Sequence, residues 1–515
     1  MIVTFRVDAS LEIGSGHLVR CLTLADALLM RGAHCRFVCR QIPESLKAMI
    51  VGGGHELIPL DAALRHHEET DPQRHRWLSV SQTEDARQTI AALQGKQSDW
   101  LIVDHYALDA VWEAILRSSA TRILAIDDLA DRQHDCDALL DQNLYLDADT
   151  RYAGKLPNSC SLLLGPRFAL LREEFSRART QVKPRSGPVE RILVFYGGVD
   201  ATNCTGFAIE ALSIAAIRGA FVDVVIGADH PKRKEIAAAC KGVGFALHVQ
   251  TQRMAELMSA ADLGMGAGGS ATWERCCVGL PTVATAVAKN QEALVRGCAL
   301  SGGIYAIDLD GAGPHDLALH VSSVVANPLL RESISRKGME IVDGGGTRRV
   351  MRSMGIFQVA VRQATNADSR NLFEWRNHPA VRQSSRSTAP LEWAVHSQWL
   401  GSVLADPTKE LLIGEKSGRP VGVVRFDVAG EAAEVSIYTV FESTQPDERS
   451  SNTGIAGPEG AGAELLAAAE RWLSRNRPAV RCINAEVLKE NRPSHRLFNH
   501  AGYLRQSVMY TKRVW

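Results

Sequence analysis

This chain lacks a charge imbalance. Its 58 lysines and arginines are matched by 58 aspartates and glutamates over 515 residues. Binding to a phosphate backbone leaves a basic footprint, so a nucleic-acid protein is excluded as a first reading. No run reaches the roughly 18 apolar residues that a membrane helix needs, so no span is expected. The first residues have neither a charged n-region nor an apolar h-region, so no signal peptide is expected. C-x-x-C is also missing. The 11 cysteines are scattered. Cys35 and Cys39, like the adjacent Cys276 and Cys277, have no matching metal-ligand partners nearby. Reduced thiols of a cytoplasmic protein, with no metal, are the expectation. No internal sequence repeat is present beyond a loose duplication of Rossmann-like pattern.

What is present falls into three blocks, matching the soft prior of about three domains for this length. The first, residues 1–180, alternates short apolar strands (Ile2–Asp8, Cys35–Cys39, Trp100–Asp104, Ile123–Asp127) with helices such as Glu84–Leu93 and Asp109–Leu116. Alternation of this kind predicts a parallel sheet covered on both faces. After the linker QVKPRSGPVE the pattern restarts over residues 190–352, with strands in RILVFYGG, FVDVVIGADH, ALHVQ, DLGMGAGG and LPTVAT. Two doubly wound domains in series place a ligand cleft where the C-terminal ends of their strands face each other. Residues 358–515 differ in texture: alternating strands in LLIGEK, PVGVVRF and AEVSIYTV, then helix, strand and helix, predict an α+β domain with a mostly antiparallel sheet. The fold class expected is therefore α/β, two Rossmann-like domains followed by an α+β domain.

The segment RVDASLEIGSGHLVRCLTLA, from Arg6 to Ala25, reads as strand, glycine turn and helix. Val3, Phe5 and Val7 alternate with Thr4, Arg6 and Asp8, which is strand period. Gly14, Ser15 and Gly16 make a tight turn that lets the backbone approach a ligand. Leu18, Leu22, Ala25 and Leu29 then repeat at helical spacing. Such a turn suits a phosphate. His17 stands where the helix begins, as a general base near neutral pH or as a simple helix cap. Gly197 and Gly198 in FYGGVDATN form a second candidate phosphate or sugar loop. Gly268, Gly269 and Ser270 form a third, and Glu274 follows one turn later, where a carboxylate can accept hydrogen bonds from a ribose diol. Asp104, His105 and Tyr106 either line the cleft or sit in a loop. Arg6 and Asp8 are a buried pair or a substrate contact. Asp127 and Asp128, and the D-x-D pairs Asp135/Asp137 and Asp147/Asp149, are too common a pattern to argue for a metal.

The run GGS-x3-E-x4-G-x-P-T resembles the donor half of GT-B nucleotide-sugar enzymes. RVDAS, IGSGH, RCLTLADAL, IVDHY, DDLADR, LLGPRFALLREEF, YGGVDATN and the segment from Gly266 to Gln291, in this order, resemble a single family over residues 1–350. It is the UDP-2,4-diacetamido-2,4,6-trideoxy-β-L-altropyranose hydrolase family of pseudaminic acid biosynthesis. The resemblance implies that water attacks the anomeric carbon with inversion and UDP leaves, without a metal. It implies that His17 is the general base, that Glu274, Ser270 and the Gly268–Gly269 turn hold UDP, and that Asn290, beside Gln291, contacts the substrate. The diphosphate is already a good leaving group, so amides that stabilise its growing charge suffice on the other side.

Residues 359–515 resemble the GNAT-superfamily N-acetyltransferases, through VRQATNADSRNLFEWRNHPAVRQSS, LEWAVHSQWL, GRPVGVVRFD, AEVSIYTV and NAEVLKENRPSHRLFNHAGY. W-R-N and H-x-x-W resemble the branch that acetylates amino sugars carried on UDP. The resemblance implies acetyl-CoA as cosubstrate. Gly460, Gly462 and Ala463, opening a helix, are its expected pyrophosphate turn, and Asn491 and Ser494 fit cofactor-side contacts. Two departures stand out. A polar stretch, residues 441–456, interrupts the cofactor region, and Phe498 replaces the tyrosine that in many relatives protonates the departing thiolate. Tyr503, Tyr510 or no residue would then be the acid. Glu434 is either an amine base acting through water or a solvated strand residue. His396 and Trp399 line a sugar pocket or belong to the core.

Acetylating the C4 amine of a UDP-4-amino sugar makes the molecule that the hydrolase consumes, and fusion raises the local concentration of the intermediate. The combined expectation is a bifunctional enzyme whose partners are a UDP-linked amino sugar and acetyl-CoA. The alternative is a GT-B glycosyltransferase with a non-catalytic GNAT-like module. Oligomeric state is not readable.

Overall fold

A computed structural model describes all residues except 11–12, 62–76, 216, 218, 357–358, 386–387, 417, 441–460, 507–508 and 514–515. The chain divides into two compact units, Met1–Met354 and Gly355–Trp515.

The first unit carries two parallel sheets among the described residues. One is built from β1 (Ile2–Val7), β2 (His34–Cys39), β3 (Glu56–Pro59), β4 (Ser98–Asp104), β5 (Ala120–Ile126), β6 (Ala138–Asp141) and β7 (Ser161–Leu164), in the order β3-β2-β1-β4-β5-β6-β7. The other takes β8 (Arg191–Phe195), β9 (Phe221–Ile226), β10 (Ala246–Val249), β11 (Leu263–Ala267), β12 (Thr282–Thr285) and β13 (Tyr305–Ala306), in the order β10-β9-β8-β11-β12-β13. Both are Rossmann-like: the order reverses beside the first strand, so the C-terminal ends of β1 and β4, and of β8 and β11, flank the two switch points. The helix Gly346–Ser353 returns to the first sheet, where Thr347 Oγ1 donates to the Leu171 carbonyl at 2.9 Å and accepts from its amide at 3.1 Å.

The alternation in β1 does not divide core from solvent. Thr4, Arg6 and Asp8 are as buried as Val3, Phe5 and Val7, because a central parallel strand is covered on both faces. The polar set survives burial by pairing. Arg6 lies between Asp8 (2.8 Å) and Asp85 (2.7 Å), and Asp85 also accepts from Arg40 at 2.9 Å and from the Trp112 indole at 3.0 Å. Arg6 and Asp8 are thus a buried structural pair. In the helix Gly16–Leu29, Leu18, Leu22 and Ala25 are buried as the spacing predicts, together with Cys21, Leu24 and Leu28. Leu29 is instead 38% exposed, since the covered stripe is centred on Leu28.

The second unit contains β14 (Ala360–Gln363), β15 (Lys409–Lys416), β16 (Arg419–Ala429), β17 (Ala432–Thr439), β18 (Cys482–Glu486), β19 (Leu504–Gln506) and β20 (Met509–Arg513), ordered β14-β15-β16-β17-β18-β20-β19. All neighbours are antiparallel except β17 and β18. The helix Ala461–Asn476 packs its Leu465, Leu466, Ala469 and Leu473 on this sheet.

Burial pushes the Asp8 and Asp85 carboxyls up, but Arg6 outweighs it and holds both below their ordinary range. A depressed folded-state value means stability that is complete above the unfolded value of about 3.9 and lost as pH falls below it. Thermal unfolding should therefore hold steady from neutral pH to about 5 and fall steeply below about 4. Asp85→Asn should cost about 3–5 kcal/mol at neutral pH, because it strips a charge from Arg6 and Arg40, and should flatten the acid slope. An unchanged slope would show that the cluster does not govern acid stability.

Candidate active sites

β1 and β4 are neighbours, with Val7 opposite Asp104. The chain leaves β1 and turns at Gly14, whose φ of +81° is natural only for glycine and whose amide donates to the Ser10 carbonyl at 2.8 Å. The helix then starts at Gly16. Its second residue consequently meets the end of β4, and His17 Nδ1 lies 2.5 Å from Asp104 Oδ1. One turn on, Arg20 clamps the same carboxylate, Nε to Oδ2 at 2.6 Å and Nη2 to Oδ1 at 2.7 Å, and reaches Asp128 at 3.2 Å. Burial raises the Asp104 carboxyl, yet Arg20 and His17 hold it well below the usual carboxylate range. An ionised Asp104 requires the proton of a neutral His17 to sit on Nδ1, which leaves Nε2 as the basic lone pair. His17 is thus held by a carboxylate rather than capping its helix. The Tyr106 ring stands edge-on to His17 at 4.5 Å, and its hydroxyl accepts from Asn290 Nδ2 of the second sheet's side at 2.9 Å.

The glycine turns of the two lobes face each other. A Cβ on Gly198 would stand 3.2 Å from Ser15 Oγ, and one on Gly16 would stand 3.7 Å from Ser270 Oγ. Gly197 has φ +103°. A Cβ on Gly268 would meet Val295 at 2.0 Å, whereas on Gly269 it would lie 3.7 Å from Gln291 Nε2. Gln291 uses its Oε1 to accept the Val287 amide at 3.1 Å. Glu274 receives Arg172 Nη2 at 3.4 Å, and burial pushes its carboxyl up. The structure therefore brings His17, Asp104, Tyr106 and Asn290 together, and sets Ser15 against Gly198 and Gly16 against Ser270; for Gly14, Gly197, Gly268 and Gly269 it shows no contact across the cleft among the described residues.

Other candidates have structural partners. His105 turns to the buried cluster, Nε2 to Asp8 at 3.2 Å. Asp135 and Asp137 both hold Arg117, at 3.0 and 2.6 Å, and Asp127 pairs with Arg132 at 2.8 Å. Among the described residues no group of three His, Cys, Asp or Glu is placed to hold a metal. Arg20 and Arg172 were not singled out by sequence reasoning, and Asp128 was weighed only as a metal ligand. Only Arg20 left a signal, its i,i+3 spacing from His17 on one helix face.

In the second unit, β17 and β18 pair only over Ala432–Glu434 and Cys482–Asn484. Beyond that they diverge, and a cavity of about 480 Å³ opens between Val435–Thr439 and Glu486–Leu488. Glu434, His396 and Trp399 line it, as do Asn491 and Ser494. Asn491 Oδ1 caps its helix by accepting the Ser494 amide at 3.1 Å. Gly462 borders the cavity, with its would-be Cβ 3.7 Å from Thr439. Ala463 packs on the core instead, because consecutive helical residues face different ways. Gly460 and the polar stretch 441–456 lie outside the described residues. His396 donates through Nε2 to the Ser369 carbonyl at 2.9 Å, and burial lowers its pKa, so it is neutral. Neither Tyr503 nor Tyr510 serves the cavity. The Tyr503 hydroxyl donates to Glu470 at 2.8 Å, and that of Tyr510 is held by His495 at 2.6 Å. Both rings pack around Phe498 in the core. The tyrosine lining the cavity is Tyr438, on β17, a position that strand alternation alone did not distinguish from a surface one.

Residues 364–510 match the acetyltransferase (GNAT) domain family. Over 304 residues the chain is 25% identical to a UDP-2,4-diacetamido-2,4,6-trideoxy-beta-L-altropyranose hydrolase of Campylobacter jejuni, covering 59% of this chain and 97% of that protein. It is 23% identical to the spore coat polysaccharide biosynthesis protein SpsG of Bacillus subtilis, over 67% of this chain and 94% of SpsG. Among solved structures, MurG of Acinetobacter baumannii aligns with 69% of this chain and 99% of its own at 14% identity and a TM-score of 0.47.

Gly268 packs on Val295 of the helix Lys289–Leu300, which also carries Asn290 and Gln291. Gly268→Ala should lower stability by about 1–3 kcal/mol through overpacking, and Val295→Ala in the same chain should recover most of that loss. Additive losses, measured by denaturant unfolding, would mean the contact does not set this spacing.

Proposed function

We propose that the chain is a bifunctional enzyme of nucleotide-sugar metabolism. Its first unit hydrolyses UDP-2,4-diacetamido-2,4,6-trideoxy-β-L-altropyranose to the free sugar and UDP. Its second unit transfers acetyl from acetyl-CoA to the 4-amine of the preceding UDP-4-amino sugar. The observation that carries the first reading is the His17–Asp104–Arg20 arrangement, opposite Asn290 and beneath the facing glycine turns.

His17 Nε2 takes a proton from water as its oxygen attacks the anomeric carbon. The bond from that carbon to the phosphate oxygen breaks, and UDP carries away the electron pair, with inversion. Asp104 keeps His17 in the reactive tautomer and stabilises the imidazolium formed. The amides of the Gly197–Gly198 and Gly268–Ser270 turns receive the growing charge on the diphosphate. Glu274 accepts from the ribose diol. Tyr106 and Asn290, already bonded across the cleft, hold the sugar.

In the second unit, the amine loses a proton toward Glu434 and attacks the thioester carbonyl, expelling the coenzyme A thiolate. The acid assigned is Tyr438, since the hydroxyls of Tyr503 and Tyr510 are occupied elsewhere. Burial pushes its titration up, so it keeps its proton at neutral pH. The splayed β17–β18 pair and its cavity support an active transferase over a non-catalytic module.

The direct test incubates the full chain with the UDP-4-amino sugar. UDP should be released only when acetyl-CoA is present, and the acetylated sugar should appear free. Sugar recovered on an acceptor instead of as the free sugar, with UDP released all the same, would favour the glycosyltransferase reading. His17→Ala should lower kcat for UDP release by about 10²-fold or more, with UDP affinity nearly unchanged by calorimetry. Near-normal turnover would remove His17 as the base.

Gly462→Asp places a negative side chain at the mouth of the acetyl-CoA cavity. Acetyl transfer should vanish, while UDP release from an already acetylated substrate survives, since His17 belongs to the other unit. Loss of both activities in a folded variant would refute two separate sites.

A further inference from the structure

Arg275 is 1% exposed, and no carboxylate among the described residues forms an ion pair with it; the adjacent Glu274 acts on it only through space. Its Nη2 donates to the Ala267 carbonyl at 2.6 Å and to Thr272 Oγ1 at 3.1 Å. Its Nε and Nη1 have no protein partner among the described residues. The adjacent Glu274 is turned to Arg172 instead. Other buried arginines of this unit are not left this way. Arg331 donates to the carbonyls of Val324, Val325 and Gly187, and Arg36 to Thr4 Oγ1, Ser98 Oγ and the Lys96 carbonyl. Burying a guanidinium without a counter-charge is costly, and burial here lowers its pKa. A cost of this kind at one position calls for a reason.

The position supplies one. A Cβ on Gly266 would lie 2.7 Å from Arg275 Nη1 and 2.3 Å from the Phe195 carbonyl, so the guanidinium sits over the ends of β11 and β8. Tyr196, within its electrostatic reach, leads directly into Gly197–Gly198. Ala267, its hydrogen-bond acceptor, leads directly into Gly268–Gly269. The charge therefore lies at the root of both glycine turns, shielded from solvent, where its field is not dissipated by water. Those turns carry no side chain to keep an anion away from the backbone.

We infer that Arg275 is a positioning residue that sets the preference of this cleft for a nucleoside diphosphate over the uncharged nucleoside, acting through space rather than by contact. The inference rests on reading the first unit as a UDP-sugar enzyme. The diphosphate then adds the negative charge that no ion pair among the described residues supplies, and the same field stabilises the charge that grows on it as the sugar–oxygen bond breaks.

The test measures the affinity of the full chain for uridine, UMP and UDP by calorimetry. The wild-type protein should bind more tightly as phosphate is added. Arg275→Met should weaken UDP by about tenfold or more, leaving uridine within about twofold, and Arg275→Lys should keep most of the preference. Equal losses for uridine and UDP, or an unchanged preference, would overturn the inference and leave Arg275 a packing residue. Should Arg275→Met fail to fold, the wild-type protein decides. A buried charge is poorly screened, so the preference for UDP over uridine should stay within about threefold between about 0.05 and 0.5 M salt. Collapse of the preference with salt would assign it to surface charges and overturn the inference. A wild-type chain that binds uridine and UDP equally would also overturn it, whereas one that binds neither would fail the underlying reading of the unit.

Discussion

A carboxylate at the end of a central parallel strand has no water to solvate it, and Asp104 is the one around which the first unit's candidate site is arranged. Two donors of Arg20 and one of His17 satisfy it. All three residues come from β4 and from the helix that follows β1, and these two elements are adjacent because β1 pairs with β4. The packing of one strand pair thus fixes the orientation of an imidazole. Replacing Asp104 would leave Arg20 buried and short of partners, so orientation and stability are bound together at this point.

The cleft itself is a matter of what is missing from the backbone. Gly16 faces Ser270, Gly198 faces Ser15, and Gly268 lies against Val295. Any side chain at these turns would fill the space between the lobes or push the helix bearing Asn290 outward. Glycine here permits close approach, and the Tyr106–Asn290 hydrogen bond marks where the two lobes meet. The second unit makes its cavity by a different device. Two parallel strands pair for three residues and then part, exposing backbone and side chains of β17 along one wall.

The proposed chemistry uses these features in keeping with their physics. The first unit needs a base and a place for a departing anion, and offers a tethered histidine, two glycine turns and a buried arginine that makes no ion pair among the described residues. The second needs a slot for a thioester, and offers the gap between β17 and β18. The thiolate's acid is assigned to Tyr438 because the hydroxyls of Tyr503 and Tyr510 are committed to Glu470 and His495 in the core.

Much was legible in the amino-acid order. Strand and helix periodicity located the parallel sheets and the antiparallel one, because side-chain period follows backbone geometry. The glycine turns were visible because tight turns need residues without Cβ, and His17 and Glu274 stood out beside them, whereas Asn290 was implied only by the family resemblance. The sequence could not tell that Thr4, Arg6 and Asp8 are buried, since alternation looks alike whether the second face meets water or another layer. It could not tell that Asp104 belongs with His17, separated by 87 residues, nor that Tyr438 lines a cavity while Tyr503 and Tyr510 lie in the core. Local pattern determines which elements form. Only tertiary packing decides which distant charges are brought out of water together, and so which of them must pair, which stay free, and which turn toward a ligand.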